Sequence, residues 1–305
     1  MSVRSKITDG SRNPVLYVQE FRTAAGFLAP LLFFALCFIL LPVVGTALNS
    51  LFLDVTFVPK QFIGFDNYRW LMRDPEFWQS LGFTGLFVLV SVPLEIILGL
   101  IIALVLNEPL PLRGFLRAAV LIPWAIPAVV SGRIFELIYN YSYGVANYLW
   151  TALPGAPQPV NWLGTETSAF LALVVADVWK TTPFAAVILL AGLAAIPDDL
   201  YRQARVDRAS GVQQFFRITL PLLKPILIVA CLFRAIDALR IFDIIFVLTG
   251  GGPGGATLSL SLFGYRYFAS GDFGYASAVS MVLFMMAFGL AMCLVRLGRK
   301  GQAIG

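Results

Sequence analysis

The chain has 305 residues, 59% of them hydrophobic and 13% charged, with a mean hydropathy of +0.82, which is too apolar for a soluble domain of this length and places it in a bilayer. Its 22 Lys and Arg against 17 Asp and Glu leave a net charge of +5, and it contains no histidine. That excludes His-based metal sites, triads and proton relays; no G-x-S-x-G nucleophile motif and no basic aromatic module for nucleic acid is present either.

Apolar runs of about 20 residues cross a hydrocarbon core, and six are visible: 24–52, 81–106, 116–138, 168–196, 226–249 and 273–295. The predicted architecture is an all-α polytopic membrane protein: a cytoplasmic segment 1–23, a transmembrane domain 24–295 and a cytoplasmic tail 296–305. The first run is too long for the core of a cleavable signal and is followed by more spans, so it reads as a retained helix. Orientation follows from the basic residues. Arg113 and Arg117 fall in one connecting segment and Arg202, Arg205, Arg208, Arg217 and Lys224 in another, on the side of Arg4, Lys6, Arg12 and Arg22; the opposite loops hold only Lys60, Arg69, Arg73 and Arg266. By the positive-inside rule both termini are cytoplasmic, and the net charge is a topology signal. Cys37, Cys231 and Cys293 each lie alone in a span and read as small buried apolar side chains.

In the second span Glu95 carries little information by itself. In the third, Pro123 and Pro127 remove helix hydrogen bonds and predict a kink or break, which in transporters can open backbone at a substrate path and elsewhere is an ordinary membrane-helix feature. Arg133 and Glu136 near its end are an i, i+3 pair. Beyond it, Tyr139, Asn140, Tyr141, Tyr143, Tyr148 and Trp150 form a polar-aromatic cluster, read as an interfacial belt or as a stacking surface for sugar rings. The fourth span holds Asp177, Trp179 and Lys180, with the two charges at i, i+3. The fifth holds Arg234, Asp237, Arg240 and Asp243, alternating in sign every third residue. Charges at this depth must face protein or water. Either they line a polar translocation path, with Asp177, Trp179, Lys180, Asp237, Arg240, Asp243, Tyr139 and Asn140 as its candidates, or they are buried ion pairs locking helices together; strict sign alternation weighs toward the second.

Between these spans lies the most informative segment, 197–225. Asp198 or Asp199 can cap a short helix over 200–206, and Ser210 with Gln213 forms a capping box that starts a second, with Gly211 at its first position. Pro221 is expected to stop that helix. Val212, Phe215, Phe216 and Leu220 predict an apolar ridge, with Arg208, Gln214 and Arg217 solvated. Asp207 is expected to fix the turn between the helices. After the fifth span, Gly250, Gly251, Gly252, Pro253, Gly254 and Gly255 lack the Lys-Ser/Thr of a phosphate loop and read as an outer turn.

Leu200, Tyr201, Ala204, Asp207, Ala209, Phe215, Ile218, Leu220 and Pro221 match the pattern L-Y-E-A-A-x-x-D-G-A, five variable positions, F-x-x-I-x-L-P. The segment thereby resembles the EAA loop of the membrane-spanning subunits of binding-protein-dependent ABC importers. Arg202, Gln203 and Arg208 stand where that family usually has Glu, Ala and Gly. Leu248, Thr249, Gly251, Gly252, Pro253 and Thr257 resemble an outer turn of sugar-importer permeases, and segments 62–81, 113–132, 178–184 and 233–251 are similar to maltose- and trehalose-type permeases, without a bulky outer domain or two extra leading helices.

The resemblance implies a type I importer permease fold in a bacterial or archaeal cytoplasmic membrane. It implies a second, distinct permease as heterodimer partner, two cytoplasmic ATPase subunits that bind ATP and Mg, and an extracytoplasmic sugar-binding protein. Arg202, Gln203, Ala204, Asp207, Arg208, Ala209, Gly211, Phe215, Phe216 and Pro221 would contact the ATPase. The chain itself would be no enzyme and hold no cofactor or metal. A disaccharide such as trehalose or maltose is the implied solute, with glycerol-3-phosphate or an oligosaccharide as alternatives. A secondary transporter, a channel, or a membrane enzyme with a carboxylate-only site are the rival classes.

Overall fold

A computed structural model describes residues 14–155 and 158–302, with side chains over 23–155 and 158–296. Arg4, Lys6 and Arg12 of the predicted leading segment lie outside the described residues. Helix α1 (Pro14–Ala35) passes through a π turn (Leu36–Leu40) into α2 (Leu41–Asn49). A two-stranded antiparallel hairpin, β1 (Phe52–Leu53) with β2 (Gln61–Phe62), and α3 (Asp66–Arg73) build the first outer loop. Helix α4 (Pro75–Asn107) starts on Asp74, whose carboxylate accepts from the Glu76 amide, and its 33 residues exceed the roughly 20 needed for a perpendicular crossing. Then come α5 (Arg113–Ala125), α6 (Ala128–Ile138), α7 (Val145–Thr151) and α8 (Glu166–Ala194), the last opened by a Thr165–Ser168 capping box.

Among the described residues, five helical stretches are long and apolar enough to span: Thr23–Asn49, Pro75–Asn107, Glu166–Ala194, Gly211–Leu239 and Phe273–Arg296; a sixth is α5 with α6 taken together, bent by 88°. The bend is at Ile126 and Pro127, as the sequence predicts. Pro127 has no amide to donate, and Ile126, with ψ 131°, takes the extended conformation that a following proline imposes. Helix α8 is central, packed along α4 and against α5 and α11 (Leu220–Leu239). Small residues allow the approach: a Cβ on Gly99 of α4 would stand 3.0 Å from Ala185 Cβ, and one on Gly192 of α8 2.7 Å from Leu223 Cδ1 of α11.

Two predicted boundaries are corrected. Pro221 does not stop its helix. Helix α10 (Gly211–Gln214) continues through a π turn (Phe215–Thr219) into α11, and Pro221 sits in the first turn after it, where the widened ladder leaves room for a residue that cannot donate. The fifth span ends at Leu239 rather than 249: Arg240 closes α11 and a separate α12 (Asp243–Leu248) follows. The sixth span, Phe273–Arg296, lies where the sequence predicts it, and its helix α14 (Phe273–Gln302) runs on into the predicted tail. Cys37 and Cys231 are only half-buried and Cys293 is exposed, all as free thiols. The glycine-rich turn is tied rather than loose: Thr257 donates to Gly252 O (2.6 Å) and Arg266 of α13 (Leu260–Ala269) to Gly250 O (2.9 Å).

Candidate translocation and coupling site

Mid-bundle, one guanidinium gathers three carboxylates from three spans. Arg234 of α11 donates through Nε to Glu95 of α4 (2.5 Å) and through Nη1 to Asp237 (2.6 Å), and its Nη2 lies 3.7 Å from Asp177 of α8. Glu95 is completely buried, and Arg234 and Asp177 nearly so. The five donors of arginine suit this branching. Removing Arg234 alone would strand buried carboxylates, at a cost of about 3–5 kcal/mol. Glu95 is the principal residue missed from sequence. Its partner is 139 positions away, beyond any helical spacing rule.

The predicted pairing of Asp177 with Lys180 is not formed; Asp177 turns to Arg234, and Lys180 is half-buried without an ion-pair partner among the described residues. The predicted four-charge stripe is likewise broken. Asp237 is 3.5 Å from Arg240, but Asp243 belongs to α12 and pairs with no cation among the described residues, because α11 has already ended.

What these residues share is a cavity of about 440 Å³. Asp177, Lys180, Arg234, Asp237, Arg240 and Asp243 line it, together with Ala128 from the first residue of α6 and Phe242 from the break after α11. The ion-pair reading describes Glu95, Arg234, Asp177 and Asp237, and six of the charged candidates face one cavity. The buried half, Glu95, Arg234 and Asp177, joins three helices; the open half presents charge to the cavity.

Trp179, Tyr139 and Asn140 are outside that lining. Trp179 packs edge-on against Phe135 (5.4 Å), Tyr139 donates to Ala172 O (3.3 Å), and Asn140 Oδ1 accepts from the amides of Ser142 (2.9 Å) and Tyr143 (3.3 Å). Tyr141, Tyr143 and Tyr148 are exposed. Arg133 and Glu136 pair at 2.5 Å as the sequence predicts.

From the end of α8 to the start of α11 the chain forms a hook. Helix α9 (Asp198–Val206) begins two residues before its predicted start, with Pro197 as N-cap, so Asp198 and Asp199 lie in its first turn and do not cap it. The turn after α9 is closed by backbone: Arg208 N–H donates to Arg205 O (3.1 Å) and Ala209 N–H to Ala204 O (2.9 Å), the two bonds of a Schellman motif. Asp207 is the C-cap and its side chain makes no hydrogen bond there, which corrects its expected turn-fixing role. Arg208 takes the left-handed position at φ 57°, which costs a side-chain-bearing residue about 1–2 kcal/mol relative to the right-handed region. Ser210 and Gln213 form the predicted capping box, and α10 starts at Gly211. The hydroxyls of Tyr201 and Thr219 bond at 2.9 Å and tie α9 to the π turn.

The predicted apolar ridge divides. Val212 and Phe216 are exposed, whereas Phe215 is half-buried and Gln214, expected to be solvated, donates to Ala209 O (2.9 Å). The π turn starting at Phe215 shifts the helical phase within the ridge. Arg202, Gln203, Arg208, Ala209 and Gly211 lie along the same hook; Arg202 and Gln203 are exposed, while Ala204 and Ala209 are half-buried, and Pro221 is exposed at the base. A second cavity of about 720 Å³ separates the hook from the turn after α4. Arg113, Arg202, Arg205 and Phe215 are among its lining, and Arg113 is already engaged, donating to Leu106 O and Asn107 O at 2.8 Å each.

The family described as "Binding-protein-dependent transport system inner membrane component" matches residues 95–296, from the buried Glu95 through the cavity and the hook. The chain is 53% identical to the trehalose/maltose transport system permease protein MalF of Thermococcus litoralis, over 95% of this chain and 98% of that one. It is 40% identical to the trehalose transport system permease protein SugA of Mycobacterium tuberculosis, over 77% of this chain and 75% of that one. A crystal structure of a bacterial ABC transporter that imports the acidic polysaccharide alginate superposes with a TM-score of 0.76 at 24% identity, over 93% of this chain and 97% of that one, and so shares its fold.

Proposed function

The chain belongs to the inner membrane components of binding-protein-dependent transport systems, and from that premise we propose that it forms half of an ABC importer's sugar path and carries the motion of a separate ATPase to it. It is a membrane-spanning transport permease and not a catalytic subunit. The observation that carries the coupling mechanism is connectivity. The hook runs unbroken through its π turn into α11 and joins α8 across the three residues 195–197, and those two helices supply Asp177, Lys180, Arg234 and Asp237 to the cavity. Force applied to the hook therefore reaches the cavity wall directly through α11 and, across that short joint, through α8. Glu95 fixes α4 to the same guanidinium, so the three helices travel together.

The partners on this reading are a second permease that closes the open side of the cavity, two cytoplasmic ATPase subunits that hold ATP and Mg, and an external solute-binding protein that delivers the sugar. Both termini and the hook lie in the cytoplasm. The solute is a neutral disaccharide of the trehalose or maltose kind. The cavity supports that choice over glycerol-3-phosphate: Lys180, Arg234 and Arg240 are balanced by Asp177, Asp237 and Asp243, and a lining without net charge gives a phosphate no advantage while offering many partners for hydroxyls.

The test is ATP hydrolysis by the complex assembled from this chain, its companion permease, the ATPase and the solute-binding protein. Trehalose or maltose should stimulate it and glycerol-3-phosphate should not. Stimulation by glycerol-3-phosphate alone would overturn the solute, and uptake driven by this chain without the ATPase would overturn the class.

A further inference from the structure

The outer part of the hook, from Arg202 to Arg217, has four arginines and a single carboxylate, Asp207. Asp198 and Asp199 lie at the other end, in the first turn of α9, and Asp199 reaches Arg202 only at 3.6 Å with both side chains exposed. Arg205, Arg208 and Arg217 are exposed and have no ion-pair partner among the described residues. Arg208 is the most telling. It occupies the left-handed site of the turn, at φ 57°, where glycine is the favoured residue and where the family pattern has glycine. At the C-terminal end of α9 such a cation meets the negative end of the helix dipole, and with no ion-pair partner among the described residues its guanidinium remains open to an anionic group outside the chain.

Set among these arginines are three exposed apolar side chains, Val206, Val212 and Phe216, at 83%, 68% and 60% of full exposure. Exposed apolar side chains interspersed with arginines are the composition of a protein interface. Resting on the reading of the hook as the ATPase-docking element, we propose that its docking face is cationic and fits an ATPase subunit whose cleft has an acidic rim, with Arg202, Arg205 and Arg208 determining specificity. The importer pattern has Glu at the Arg202 position. An ATPase built to meet that Glu with a cation would be repelled here, so the reversal selects a partner by exclusion as well as by attraction. Anionic lipid also attracts basic amphipathic segments. The geometry favours protein, because the apolar residues sit on either side of a fixed turn, and Arg202 and Arg205 border the cleft between the hook and the turn after α4, shared with Asp198, Glu108 and Arg113, rather than a flat face.

The complex of this chain, its companion permease and the ATPase is the material for the test. Exposed charge pairs are screened by salt, so wild-type retention of the ATPase should fall as NaCl rises from about 50 mM to about 500 mM. At the lower salt the R202E/R205E/R208E variant should bind at least about tenfold more weakly, and R202K/R205K/R208K should largely keep binding. Thermal unfolding of the permease pair reports whether each variant is folded, and the wild-type salt titration stands if the reversed variant is not. Salt-insensitive wild-type retention, or a folded reversed variant that binds normally, overturns the proposal. So does retention in nanodiscs that requires phosphatidylglycerol and ignores the charge reversal, which would assign the arginines to lipid. A wild-type complex that never retains the ATPase removes the docking reading itself, whereas retention indifferent to charge removes only the acidic-rim proposal.

Discussion

Arg234 is the residue on which the middle of the bundle depends. Replaced by Met, it leaves Glu95 and Asp177 as buried carboxylates without their cation, and the protein should lose about 3–5 kcal/mol and fail to accumulate in the membrane. Removing the whole charged set is a different matter, since neutral groups of similar shape can replace a buried ion pair at little cost. The E95Q/D177N/R234M variant should therefore recover expression and thermal stability, as read by fluorescence size-exclusion after heating. If R234M alone is as stable as wild type, the guanidinium is not the clamp. Asp237, whose side chain is half exposed, should behave differently: D237N should leave stability nearly unchanged and alter sugar affinity. Much of this was hidden from sequence. Spacing rules found the pairs Arg234–Asp237 and Arg133–Glu136, which sit three residues apart on one helix. They assigned Asp177 to Lys180 on the same grounds, and the buried guanidinium of another helix prevailed, because a desolvated cation is a stronger partner than a half-exposed lysine.

At the level of elements, the hook and the broken third span were the most legible parts. Both are written in residues with strong local physics: a Ser-x-x-Gln capping box, and prolines that remove donors. What was illegible follows from the backbone departing from regular helix. The π turn at Phe215–Thr219 let the chain pass Pro221 and divided the ridge, leaving Phe216 outward and Phe215 half-buried. Nothing in hydropathy marked the end of α11 at Leu239, since the residues that follow are as apolar as those before. Two outcomes are expected here. Val212→Ala with Phe216→Ala should lower sugar-stimulated ATP hydrolysis and uptake together while the permease pair still assembles; intact coupling in that variant would mean the exposed apolar residues do not engage the motor. Pro127→Ala restores an amide at the 88° bend, and because Ala128 lines the cavity, uptake should fall without loss of membrane insertion. Normal uptake with a straightened third span, read from an α5–α6 spin-label distance, would detach the bend from function.

For the molecule as a whole, the span Thr23–Asn49 has none of its apolar window buried against the rest of the chain, and α14 has little, while α8 is mostly enclosed. Such a distribution suits a bilayer, where exposed apolar side chains meet lipid or a neighbouring subunit at no cost in hydration. The central claim is that a cytoplasmic hook, continuous with α11 and joined to α8 by three residues, is gripped by a separate ATP-driven subunit. Its most direct test is the accessibility of a single cysteine at Val212, which is exposed and is neither of the two bonding residues of the capping box, in a chain whose Cys37, Cys231 and Cys293 have been replaced. An impermeant thiol reagent should fail to label it in intact cells, label it after permeabilisation when the ATPase is absent, and be blocked again when the ATPase is co-expressed. Labelling in intact cells, or labelling that the ATPase does not protect, would contradict the account.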